Sequence, residues 1–151
     1  MEHGRTGRRV CFDPGSVRIG VAVSDVDGLV ASPRAAVSAH DESALRVVVD
    51  EIAPIEIVVG LPVGLDGREG AAASRAREFA AQVYQETAIP VRLVDERLST
   101  VQAQRGLHAQ GRSVRQSRDM IDSASAVVGL QHALDTERAS GRPPGEVHQS
   151  P

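Results

Sequence analysis

Three strand-length apolar runs with only turn residues between them open the chain, and from residue 41 onward such runs alternate with stretches of helical length. Arg9 to Asp13 ends in Asp-Pro-Gly, Ile19 to Ser24 is rich in β-formers, Asp25 to Gly28 supplies a tight connection, and Leu29 to Ser32 can return as the partner strand. Asp41 to Ala53 then places Leu45, Val48, Val49 and Ile52 at helical spacing behind a cap at Asp41 or Ser38, and Pro54 stops it. Ile55 to Val59 reads as a buried strand closed by Gly60, the glycine-rich stretch to Gly70 as a surface loop, and Ala71 to Glu86 as a helix. Val91 to Val94 is the next strand. Ser99 with Gln102 forms a capping box for a helix that stops at Gly111, and a last helix runs from Ser117 to Arg138. The order strand-strand-strand-helix-strand-helix-strand-helix-helix predicts an α/β sandwich with a mixed sheet.

A length of 151 residues fits one domain. It is expected over 9–138, with residues 1–8 flexible and 139–151 a disordered tail. Cys11 stands alone in an apolar run, which excludes an intramolecular disulfide and suits a reducing compartment. With no membrane-length apolar stretch, a cytoplasmic protein is expected. Phe12, Phe79 and Tyr84 are the whole aromatic set, too few for a protein that binds nucleic acid by stacking bases. The net charge is -3, yet residues 92–118 carry six arginines against Asp95 and Glu96, a local +4. All 17 basic residues are arginine, suited to bidentate phosphate contacts.

Carboxylates sit where sites are built. Asp13 ends the first strand, and open α/β sheets place ligands at strand ends. Asp95 and Glu96 end another strand, and since neighbours point to opposite faces, only one of them can share a site with Asp13. The alternative role for this pair is structural, in ion pairs with Arg92 or Arg97. Asp119 and Asp122 share one face of the last helix, a face continued by the small residues Ala126, Gly129 and Ala133, which allow close approach to the sheet. Acids converging from two strand ends and a helix start suit magnesium or manganese, and two such ions can drive phosphodiester hydrolysis.

Four segments at these residues resemble the YqgF/RuvX-type family, described both as Holliday junction resolvases and as pre-16S rRNA processing nucleases. They are Asp13-Pro-Gly-Ser-Val-Arg-Ile-Gly-Val-Ala-Val-Ser-Asp25, Ile57-Val-Val-Gly-Leu-Pro-Val-Gly-Leu-Asp-Gly67, Val94-Asp-Glu-Arg-Leu-Ser-Thr-Val101 and Ile121-Asp-Ser-Ala-Ser-Ala-Val127. The resemblance implies an RNase H-like three-layer fold with a mixed central sheet and a nuclease that needs Mg2+ or Mn2+, with two ions. It implies Asp13, Glu96 and Asp122 as metal-binding catalytic acids and Asp119 as a possible fourth, because RuvC-type enzymes carry an acid pair at this helix while YqgF-type proteins more often keep the second alone. Arg18, Arg97 and Arg118 are its candidate phosphate contacts, to which the basic stretch adds Arg112 and Arg115. Val17 and Met120 depart from the family, which usually has a basic or polar residue at the first and often a lysine at the second.

The implied substrate is the 5′ end of pre-16S rRNA in ribosome biogenesis, in contact with ribosomal precursor particles, or else branched DNA in recombination and repair. Membrane partners are not expected, and the protein is a monomer or a homodimer. Two other readings compete. A noncatalytic RNA-binding assembly factor could keep the fold, and an ATPase of the actin and sugar-kinase type could own the Asp13-Pro-Gly-Ser loop, although that architecture needs two such domains.

Overall fold

The computed structural model describes residues 5–41, 43–96 and 121–148. Its elements are β1 (Arg9–Pro14), β2 (Arg18–Ser24), β3 (Ala31–Ser38), α1 (Ala44–Ile52), β4 (Glu56–Leu61), α2 (Ala71–Thr87), β5 (Val91–Asp95), α3 (Ala124–Ser140) and β6 (Glu146–His148). The sheet runs β3-β2-β1-β4-β5-β6. β1, β4 and β5 are mutually parallel, whereas β2, β3 and β6 are antiparallel to their neighbours. The carboxyl ends of β1, β4 and β5 therefore share one edge of the sheet, the edge on which an α/β fold presents a site.

Strand periodicity divides the core into two layers. On one face Val10, Phe12, Ile57, Val59 and Leu93 pack against α1 and α2 through Leu45, Val48, Val49, Ala76 and Val83. On the other, Cys11, Ala22, Val58 and Val94 meet α3 through Ala126, Val127, Leu130 and Leu134. Because successive side chains of β1, β4 and β5 alternate between two covered faces, these strands read as unbroken apolar runs. The expected small-residue stripe is present: Ala126 and Ala133 are buried, and Gly129 lies so close to the sheet that a Cβ there would sit 3.9 Å from Cys11 Sγ. Cys11 is a free, buried thiol.

Local chemistry sets the boundaries. α1 begins three residues beyond Asp41, whose carboxylate accepts hydrogen bonds from the amide and hydroxyl of Ser43 at 3.0 and 2.9 Å, while Ser43 is the N-cap. Ala53 closes that helix with φ 53°, and Pro54 follows. β3 extends to Ser38, well past the expected Ser32, because it continues to pair with β2 through a register shift between Ile19 and Val21. The helix expected from Ser99 to Gly111 lies outside the described residues.

Described residues near both termini make contacts that their local sequence does not suggest. Arg5, in the segment expected to be flexible, donates to Glu56 and Glu137, and the Gly7 amide donates to Val26 O at 2.8 Å. Residues 146–148, expected in a disordered tail, form β6 on β5. Arg77 bonds Glu146, and His148 packs edge-on against Tyr84 at 5.7 Å between ring centroids. Three residues are too few to show periodicity, and tertiary partners hold them.

Candidate active site

Asp13, next to last in β1, lies on the face that carries Cys11, so its carboxylate projects toward α3 rather than toward α1 and α2. The same alternation places Glu96 with Val94, on the α3 face, and Asp95 with Leu93, on the other. Chain geometry thus selects Glu96 as the partner of Asp13. The two acids line one cavity of about 320 Å³ between sheet and helix, together with Cys11, Gly60, Ala126 and Gly129.

Two glycines flank Asp13 and make room for this arrangement. Gly20 on β2 is in register with Asp13, and a Cβ there would lie 2.4 Å from the Asp122 carbonyl oxygen. Gly60 follows Val59, which is in register with Phe12, and a Cβ there would lie 2.3 Å from Glu96 Oε2. One glycine admits the start of α3 and the other admits a carboxylate. Sequence reading assigned neither a role at the site; the available signal was a glycine inside or ending a strand, which marks close approach of another group. Ser123 was likewise missed. Fully buried beside Asp122, its hydroxyl accepts from the Val21 amide at 2.9 Å and donates to Arg34 O at 2.6 Å, fastening the helix start to the irregular stretch of β2 and β3.

Asp122 lines a second groove, of about 500 Å³, with Asp13, Pro14, Gly15, Val17 and Arg18. Arg18 Nε stands 3.7 Å from Asp122 Oδ2. The three expected acids therefore form two pairs that share Asp13. Among the described residues, no three acidic, histidine or cysteine side chains gather closely enough to make a metal-holding group. Asp119, Arg97, Arg112, Arg115, Arg118 and Met120 lie outside the described residues. Val17 is 65% exposed at the rim. Arg92, a possible partner for Asp95 or Glu96, instead bonds Glu56 at 2.9 Å.

Electrostatics mark the Asp13 and Glu96 cavity as strained for anions. Burial raises the pKa of Asp13. Burial also raises that of Glu96, and the negative charges of Asp13 and Asp95 push it further. The buried Cys11 thiol is raised too, by desolvation first and then by the fields of both acids, which disfavours its thiolate. Carboxylate oxygens in a shared space suit a hard divalent cation, which would relieve both the desolvation and the mutual repulsion.

A model of the family "RuvX: Holliday junction resolvase" matches residues 7–136. The chain belongs to the RuvX family. RuvX proteins are nucleases, hydrolases of phosphodiester bonds. The chain is 50% identical over 147 residues to a Streptomyces coelicolor protein named "Putative pre-16S rRNA nuclease", covering 94% of this chain and 88% of that one. A Clavibacter michiganensis protein of the same name is 49% identical over 148 residues, covering 95% and 92%. Among solved structures, Thermus thermophilus RuvC in complex with a Holliday junction substrate matches with TM-score 0.59 and 18% identity, over 90% of this chain and 98% of that one. That likeness shows the RNase H-like fold. No helix among the described residues of this RuvX protein is long and apolar enough to cross a membrane.

The two glycines give a graded expectation. Gly60→Ala meets only the side chain of Glu96, so it should displace the carboxylate while leaving the melting temperature nearly unchanged, and if Glu96 serves a metal site it should reduce cleavage by about 10–100-fold. Gly20→Ala meets backbone at Asp122 and should lower the melting temperature itself. Parallel thermal denaturation and cleavage assays on both variants check this; equal melting losses would mean that Gly60 serves packing.

Proposed function

We propose that this protein is a divalent-metal-dependent endonuclease that cuts structured nucleic acid, with Asp13, Glu96 and Asp122 as its metal-binding catalytic acids and the 5′ end of pre-16S rRNA as its substrate. The observation that carries the proposal is the shared cavity of Asp13 and Glu96 at the carboxyl edge of the sheet, where burial raises the pKa of both acids and the charge of Asp13 raises that of Glu96 further. Asp122, on the adjoining groove with Asp13, completes the set, and Asp119 is a further candidate ligand. The names of the curated relatives favour the rRNA substrate.

Magnesium or manganese held by these acids, as two ions, would lower the pKa of a bound water and stabilise charge on the departing oxygen. The chain's own part is to fix the acids on a rigid sheet edge and a docked helix start, and to keep Asp95 on the far face. Net hydrolysis joins a water oxygen to phosphorus, breaks the bond from phosphorus to one sugar oxygen, and leaves a proton on that oxygen. Arg18 and the arginines at 97, 112, 115 and 118 are the groups assigned to substrate phosphates. The site of action is the cytoplasm, on precursor ribosomal particles.

Branched DNA is the second reading, favoured by the description of the family and by the junction bound to Thermus thermophilus RuvC. A junction resolvase would act as a homodimer on a two-fold substrate, whereas an rRNA-trimming enzyme can act as a monomer. Purified protein with Mg2+ or Mn2+, offered a precursor rRNA 5′ end and a four-way DNA junction side by side, is expected to cut the RNA at a defined position. Paired symmetric cuts in the junction with intact RNA would reverse the assignment. Metal-independent binding without cleavage of either would leave a noncatalytic assembly factor.

A further inference from the structure

Arg18 occupies a position whose consequences go beyond a simple phosphate contact. It opens β2, and its carbonyl accepts the Gly15 amide at 2.9 Å, so the turn after β1 fixes its backbone. Its side chain is 38% exposed and lies against Asp122, which is equally exposed. Arg18 also walls two grooves: the one that contains Asp13 and Asp122, and a second of about 350 Å³ that crosses β3 past Ala36, Val37 and Ser38.

We propose that Arg18 is a displaceable counter-ion that holds Asp122 until a divalent cation arrives and then turns to a phosphate of the bound nucleic-acid strand, whose path follows the groove over β3. The inference rests on the reading of this site as a metal-dependent nuclease. A guanidinium cannot lose its proton near neutral pH, so it and a divalent cation compete for the same carboxylate. An ion pair this exposed is weak and easily exchanged. A fixed backbone with a long side chain allows the charge to move between adjoining grooves without moving the fold. The phosphate that Arg18 takes up is anionic, as Asp122 is, so the charge is never left unpaired. Binding of cation and strand then favour each other, because each removes a competitor of the other.

The test uses the whole chain and two probes besides turnover. Manganese alone, titrated calorimetrically, is expected to bind Arg18→Gln about two- to fivefold more tightly than the parent, the range set by an exposed ion pair. A labelled single-stranded oligonucleotide in calcium, which takes oxygen ligands of the same kind, is expected to bind the same variant more weakly and with a salt slope reduced by about one. Arg18→Lys keeps the charge and should retain the parent's manganese affinity. Unchanged or weaker manganese binding in Arg18→Gln overturns the counter-ion role. Asp13→Asn distinguishes the underlying reading: manganese binding equal to the parent's in that variant removes the metal site and the role of Arg18 with it, whereas loss there together with an unaltered Arg18→Gln removes the counter-ion role alone.

Discussion

Asp13→Asn should lower phosphodiester cleavage by about 10³-fold and, in metal-free buffer at neutral pH, raise the melting temperature. The first effect follows if Asp13 helps to hold a cation that supplies several kcal/mol of charge stabilisation in the transition state, since each 1.36 kcal/mol is about a factor of ten. The second follows from burial. Asp13 titrates above an ordinary aspartate because its charged form is desolvated. A carboxylate whose folded pKa is raised contributes stability that is fully present below its unfolded value of about 3.9 and is lost as pH rises through the folded value. At neutral pH the parent therefore carries a penalty that asparagine lacks, and each kcal/mol of relief should appear as about 2–4 °C in a domain of this size. The gain should vanish as pH falls below the ordinary aspartate range, where both side chains are neutral. If Asp13 is a ligand of the proposed metal site, manganese should reverse the ranking, stabilising the parent and not the variant. A variant less stable than the parent in metal-free buffer at pH 7 would show that favourable partners hold the Asp13 charge in place.

The convergence of Asp13 and Glu96 on one face was readable in part because acids at strand ends sit at fixed positions in a period of two. What the alternation could not decide was which face of β1 looks toward the last helix, and so whether Asp95 or Glu96 faces Asp13; Cys11 and Val94, packed together under α3, decide it. The glycines were harder to read. Gly20 lies in the middle of a β-rich run and Gly60 at the end of another, and neither reveals what approaches it until the Asp122 carbonyl and the Glu96 carboxylate are in place. Long-range pairing was not readable at all. Arg5 sits 132 residues from Glu137 in a polar segment with no periodicity, and β6 owes its place to Arg77, Tyr84 and the pairing with β5 rather than to any pattern of its own. In both cases the local sequence has the composition of a loose end, and the ordering free energy comes from partners elsewhere in the chain.

Glu137→Ala should destabilise the fold by about 3–5 kcal/mol, the cost of removing one partner from a buried charge network. At the amino ends of the parallel strands, Arg9 on β1 is in register with Glu56 on β4, and both are 3% exposed. Arg5 bonds Glu56 at 3.1 Å and Glu137 at 2.8 Å, Arg9 reaches Glu137 at 3.3 Å, and Arg92 reaches Glu56 at 2.9 Å. Arg9 also donates to the carbonyls of Gly7 and Arg5 at 2.8 and 3.1 Å, but its Nε has no hydrogen-bond partner among the described residues, so deleting Glu137 takes a carboxylate from an already under-satisfied buried guanidinium. Glu137→Gln keeps the volume and should cost less. Arg5 chiefly, then Arg9, hold the Glu137 pKa below its ordinary value against desolvation. The sign is opposite to that of Asp13: this stability is present above the unfolded glutamate value of about 4.3 and is lost as pH falls through the folded value. The two ends of β1 thus respond to acid in opposite directions, Asp13 gaining as Glu137 loses. Glu137 sits on α3 and reaches β1 at Arg9, which is four residues, about 13 Å, along the strand from Asp13, beyond the range at which separate sites usually couple. Chemical denaturation of Asp13→Asn, Glu137→Ala and the double variant should therefore give additive changes. A coupling above about 0.5 kcal/mol would mean that strain at the acid edge is transmitted along β1 to the ion network, and that the two ends do not titrate independently.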